Sequence, residues 1–163
     1  MARTARLSEA QWFGIKFFLI LGAASVLSWW VNLPNELGWA QQALAQSAAW
    51  LAHLIGSTGS VYQSQIHAGT LAIDINHECT GVYVLIILFT FLLAYPASWR
   101  LRLRGAAIGT AAVTGVNIVR ISFLIWIAEV APTLFAYFHE YVWQGVFLVL
   151  VIAYAMSWVE GVR

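Results

Sequence analysis

Apolar positions in this chain gather into long runs, and short polar connections separate them. The run at about 80–99 reads TGVYVLIILFTFLLAYPASW and carries no charge. Comparable runs fill about 14–31, 106–130 and 133–159. Each approaches or exceeds the roughly 20 residues that cross a bilayer core, so the pattern predicts four membrane-spanning helices. Between the first two, residues 39–57 have a different rhythm. Ala40, Leu44, Ala48, Leu51 and Ile55 share one helical face, with Gln42, Gln46 and His53 opposite. This is the signature of an amphipathic helix lying in, or re-entering from, the membrane interface. Residues 60–77 then change period: Leu71, Ile73 and Ile75 alternate with Ala72, Asp74 and Asn76, after a turn-like His67-Ala68-Gly69-Thr70. A small β-hairpin is expected there.

The expected fold class is therefore an all-α polytopic membrane protein with about four transmembrane helices. An outer interfacial or re-entrant helix and a small extracytoplasmic hairpin complete it, as a single integral membrane domain over 1–163. Composition agrees: 61% of the 163 residues are hydrophobic and 9% charged, against about a quarter charged in soluble domains. The first run continues into Trp29 and Trp30 with no small-residue cleavage site, which favours an anchored helix over a signal peptide.

Charge placement orients the helices. Arg3, Arg6 and Lys16 accompany the first run, Arg100, Arg102 and Arg104 form a WRLRLR loop, and Arg163 ends the chain. Basic residues stay on the cytoplasmic side. Four spans put both termini and every basic residue except Arg120 there, in the cell's inner (cytoplasmic) membrane. A fifth span at 39–57 would force the Arg100 cluster outside, so that segment is not read as a span. The tryptophans and tyrosines mark the interfaces.

Three polar residues interrupt this background at one level. Cys79, the only cysteine, sits at the outer mouth of the second span, and His139 at the outer start of the fourth. Arg120 lies ~21 Å along the third at 1.5 Å per residue, close enough for its side chain to reach outward. A thiolate is a nucleophile that a nearby cation stabilises. An imidazole can move its proton, and a guanidinium can hold an oxyanion. Asn117, one turn before Arg120, is suited to orienting a partner. Glu78 is a solvated hairpin position or a receptor for a basic substrate group. His77, two residues from Cys79, competes with His139 as the base. Arg120 has a structural alternative, an ion pair with Glu129 or Glu140. His53, His67 and Asp74 read as solvated.

The Glu78-Cys79-Thr80-Gly81 start of a helix, the Asn117-Ile118-Val119-Arg120 element and the late His139 before a Gly145-containing span resemble the exosortase/archaeosortase family over roughly 60–160. The short N-terminal half is similar to the family's compact forms, such as exosortase H. The resemblance implies a membrane-embedded cysteine protease/transpeptidase that cuts C-terminal sorting signals made of a motif, a transmembrane helix and a basic tail. It implies transfer of the exported protein to a membrane lipid or glycolipid acceptor. By that match Cys79 is the nucleophile, Arg120 the transition-state stabiliser and His139 the general acid/base. A substrate helix would enter against the second, third and fourth spans.

Three other functions compete. His67, His77, Glu78, Cys79 and His139 offer metal donors, but without the close spacing of HExxH or CxxC no metal is expected. A Cys-dependent membrane acyltransferase shares the thioester chemistry. A non-catalytic scaffold or transporter subunit would ignore Cys79→Ala. Neither a cofactor nor a nucleic-acid partner is expected; membrane lipids surround the chain.

Overall fold

The computed structural model describes residues 8–162. Arg3, Arg6 and Arg163, used in the charge map, lie outside them. Helix α1 (Glu9–Trp30) starts on a capping box, Ser8 and Gln11 exchanging side chain-to-backbone hydrogen bonds of 3.3 and 2.8 Å. A short α2 (Leu33–Glu36) and α3 (Gly38–Leu54) follow. Strands β1 (Ser60–Tyr62), β2 (Gln65–Ala68) and β3 (Leu71–Asp74) lead to a 3-10 turn, His77–Thr80. Next come α4 (Val82–Ala94) and α5 (Trp99–Val130). A second 3-10 turn (Pro132–Leu134), α6 (Phe135–Tyr137), a π turn (Phe138–Val142) and α7 (Trp143–Val162) end the chain.

Among the described residues, three stretches are long and apolar enough to cross a membrane: Glu9–Trp30, Trp99–Val130 and Pro132–Val162. With the shorter apolar α4, the chain is a helical membrane protein carrying a small sheet. The run expected as a second span at 80–99 forms a helix of only 13 residues, ~20 Å long. Pro96 explains its early stop, because the residue before a proline is pushed out of the helical region; Tyr95 has φ −72° and ψ 137°. The WRLRLR segment is not a loop. It forms the first turns of α5, since Arg and Leu are strong helix formers, and Arg102 donates 2.9 Å to the Tyr95 carbonyl that ends α4.

Helix α5, 32 residues and ~48 Å long, runs through two separate cores. Its first half packs with α4 and α7 around Leu88, Leu92, Val113 and Phe147. Gly105 and Gly109, four residues apart, let the helices approach closely. A Cβ on Gly105 would collide with the Trp158 indole, and one on Gly109 would sit 2.5 Å from Leu88. Trp158 Nε1 donates to the Leu101 carbonyl at 3.3 Å.

The second half of α5 carries a cap built from α3 and the sheet, with Ala48, Ile66, Ile75, Ile121 and Ile125 at its centre. The buried face of α3 is turned from the expected one towards Ala45, Ala49 and Ala52, and Ile55 is exposed. Alanines allow the closest approach to α5, where Ser122 Oγ donates 2.9 Å to the Ala48 carbonyl. The expected hairpin is a three-stranded antiparallel sheet, β1-β2-β3, with Val61 opposite Ile66 and Ile66 opposite Ile73. His67 and Ala68 belong to β2, not to the turn. The turn itself needs Gly69: φ is +59°, and a Cβ would lie 3.3 Å from the Ala128–Glu129 backbone.

Candidate active site

Cys79 lies at the seam between the two cores, on the 3-10 turn that joins sheet to bundle. Asn76 builds this turn. Its Oδ1 accepts from the backbone N–H of Glu78 at 3.0 Å and of Cys79 at 3.2 Å, as an N-cap does. Thr80 Oγ1 donates back to the His77 carbonyl at 2.6 Å, and Gly81 at φ +75° redirects the chain into α4. Behind the turn, the fully buried Asn117 donates from Nδ2 to the Cys79 carbonyl at 2.5 Å. The cysteine is thus gripped from both sides along its backbone, and its residue is only 7% exposed. Burial pushes the Cys79 thiol above its usual range, and Glu78 and Asp74 add to this. The Arg120 guanidinium and the hydrogen bond to the Asn76 backbone oppose it.

An open cleft of ≈ 560 Å³ runs past this cysteine. Cys79, Arg120, His139 and Glu78 all line it, so four of the six residues expected at a site share one wall system. Arg120 lies over the Phe147 ring at 5.7 Å, a cation–π contact that fixes the guanidinium from α7. Its buried Nε has no hydrogen-bond partner among the described residues. The ion pair expected as its structural alternative is not made with Glu129, whose Oε1 accepts from Thr58 N at 2.9 Å and Thr58 Oγ1 at 3.1 Å. His139 stands on the π turn, its ring stacked on Phe135 at 5.7 Å and 11°. A π turn inserts an extra residue into the helical ladder and re-aims the side chains beside it.

Two expected residues are elsewhere. Asn117 stands behind the turn, not in the cleft. His77 points to the α1 side, edge-on to Tyr83 at 6.1 Å and close to Ser28, Leu33 and Leu37. Glu78, Cys79 and His139 share the cleft, but among the described residues no three His, Cys, Asp or Glu side chains are placed so that they could hold one ion. Sequence reasoning passed over Asn76, whose capping role depends on the turn it makes. It also passed over Gln144 and Phe147 in the cleft, five and eight residues beyond His139, because the π turn shifts the register that a regular helical spacing would give.

A thiol, a guanidinium and an imidazole from three elements, opening on one cleft at the end of a helical bundle, define a polytopic membrane protein with a cysteine-centred site. The chain belongs to the transmembrane exosortase family: the family model described as "Transmembrane exosortase (Exosortase_EpsH)" matches residues 3–158. No curated protein and no solved structure matches it.

Proposed function

We propose that this protein is a membrane-embedded cysteine transpeptidase of the exosortase type. It cleaves C-terminal sorting signals of exported proteins and transfers the new carboxyl end to a membrane lipid or glycolipid. The observation that carries this reading is the shared cleft of Cys79, Arg120 and His139. By the positive-inside rule the Arg100 cluster faces the cytoplasm, so the cleft opens at the extracytoplasmic leaflet of the cytoplasmic membrane.

The chemistry follows from the environment of each group. Burial keeps the sulfur a neutral thiol at rest, so attack needs a base. His139 takes the thiol proton as Sγ bonds to the scissile carbonyl carbon, and Arg120 stabilises the resulting oxyanion. The C–N bond then breaks, the departing amine takes the proton from His139, and an acyl thioester remains on Cys79. An acceptor hydroxyl or amine gives its proton to His139 and attacks the thioester. The released thiolate recovers that proton. The test is processing of a tailed substrate in cells: Cys79→Ser should accumulate the uncut precursor, and wild-type processing by that variant would remove the nucleophile from the account.

A further inference from the structure

The small sheet has two edges, and one of them is closed. The Gly59 carbonyl, at the start of β1, accepts from His53 Nε2 of α3 at 2.7 Å, and Gly59 N–H donates to Ser57 Oγ at 3.2 Å. Val61 packs against the core beside it. The edge formed by β3 is different. Ile75 N–H donates 2.9 Å to the Ser64 carbonyl, and Ile73 and Leu71 stand opposite Ile66 and Ala68. This register turns the main-chain groups of Leu71, Ile73 and Ile75 towards β2, and an antiparallel ladder turns those of the residues between them the other way. Ala72 and Asp74, both exposed, therefore point their N–H and C=O groups out of the sheet. Among the described residues nothing bonds to these groups.

An open strand edge is a template for another chain, and folds usually cover it. Here it leads straight to the sulfur. Ile75 and the extended Asn76 (φ −83°, ψ 179°) carry β3 into the turn that holds Cys79, and Glu78 and Cys79 line the cleft. The charge of Asp74 is felt at the Cys79 thiol, so this edge lies near the sulfur in space as well as in sequence. Outward groups two residues apart repeat every ~6.6 Å, the repeat of extended backbone. A lipid acyl chain has neither donors nor acceptors to match them.

We propose that the free edge of β3 docks an extended peptide as an added strand, bonded to the main chain of Ala72 and Asp74, and so guides it past Cys79. Strand addition takes its affinity from main-chain hydrogen bonds. The inference rests on the transpeptidase reading and adds to it how the segment before the scissile bond is held: by its backbone. That segment runs parallel to β3. The chain of this protein passes from the sheet through Cys79 into α4, and an exported protein with a membrane-inserted tail passes the cysteine in the same sense.

The experiment is amide hydrogen exchange by NMR on the full-length protein in lipid nanodiscs. The probe is a set of synthetic peptides in which about six randomised residues, a typical strand length, precede a leucine–alanine helix. The amides of Ala72 and Asp74 should exchange rapidly in the free protein and slow by about tenfold or more with the probe bound. Those of Ile73 and Ile75, already turned to β2, and of Val61 on the closed edge should not change. A probe N-methylated through its randomised segment should protect neither Ala72 nor Asp74. A spin label on the probe's N-terminus should broaden Leu71 more than Asn76. No added protection at 72 and 74, or equal protection from the N-methylated probe, would overturn the proposal, and broadening in the reverse order would overturn the parallel direction. In cells, Ala72→Pro should lower processing of a tailed substrate by up to about tenfold, the size of one lost hydrogen bond, whereas Ala72→Ser should not. Proline removes an N–H that β2 does not use, and edge strands accept it, so undiminished processing by Ala72→Pro would also count against the docking edge. An acyl adduct on Cys79 without protection at 72 and 74 defeats the edge alone; protection in a protein whose Cys79 never acylates defeats the transpeptidase reading alone.

Discussion

Asn117→Ala tests the idea that the cysteine turn is held from behind. Asn117 is fully enclosed, and its amide is the donor to the Cys79 carbonyl. Truncation leaves that buried carbonyl without its donor, which costs about 1–3 kcal/mol. At this chain length each kcal/mol lowers a melting midpoint by roughly 2–4 °C. The same loss frees the 3-10 turn, so the sulfur should become more accessible. Because Cys79 is the sole cysteine, maleimide labelling of the purified protein in detergent reports on this turn alone. The expected result is a lower midpoint together with faster labelling. Asn117→Asp, which keeps the shape but turns oxygens towards the carbonyl, should do no better than alanine. An alanine variant with the wild-type midpoint and the wild-type labelling rate would refute the gripping role.

Two other outcomes follow from the site. Alkylation requires the thiolate, so its rate should rise with pH through a midpoint above that of an ordinary cysteine, since burial disfavours the anion. Arg120→Gln removes the cation that opposes this and should move the midpoint higher still; an unchanged or lower midpoint would contradict the coupling. His139→Ala should lower the rate of tail cleavage by about 10²–10⁴-fold, the range of a lost general acid/base, whereas His77→Ala should leave cleavage nearly intact because His77 faces Tyr83. The opposite ranking would transfer the base to His77.

Long-period features of the sequence translated directly into structure, and short-range ones did so less well. Helices α1, α5 and α7 were visible because unbroken apolar runs have few other forms in lipid. The end of α4 was misjudged because hydropathy carries past Tyr95, where the backbone constraint of Pro96 decides. Arginines at 100, 102 and 104 looked like a loop by charge, although their backbone preference is helical and their long side chains can leave the apolar zone. Strand β1 gave no signal: three residues, Ser60–Tyr62, are too few to show alternation, and the partner register arises only in three dimensions. The candidate site was legible for a different reason. Charged or reactive groups are expensive inside an apolar chain, so Cys79, Arg120 and His139 stood out before any geometry was known. Their supports did not, because the Asn76 cap, the Phe147 ring under Arg120 and the π turn beneath His139 each depend on contacts or irregularities that periodicity does not encode.

The central claim is that Cys79 carries the substrate's acyl group. Incubating the purified protein with a tailed substrate, quenching in acid and mapping the chain by mass spectrometry measures this directly. The account predicts a thioester on Cys79 whose mass reports the cleavage position, formed more slowly in His139→Ala and absent in Cys79→Ser. Cleaved substrate with no acyl group on Cys79 at any time, or processing that continues in Cys79→Ser, would contradict it.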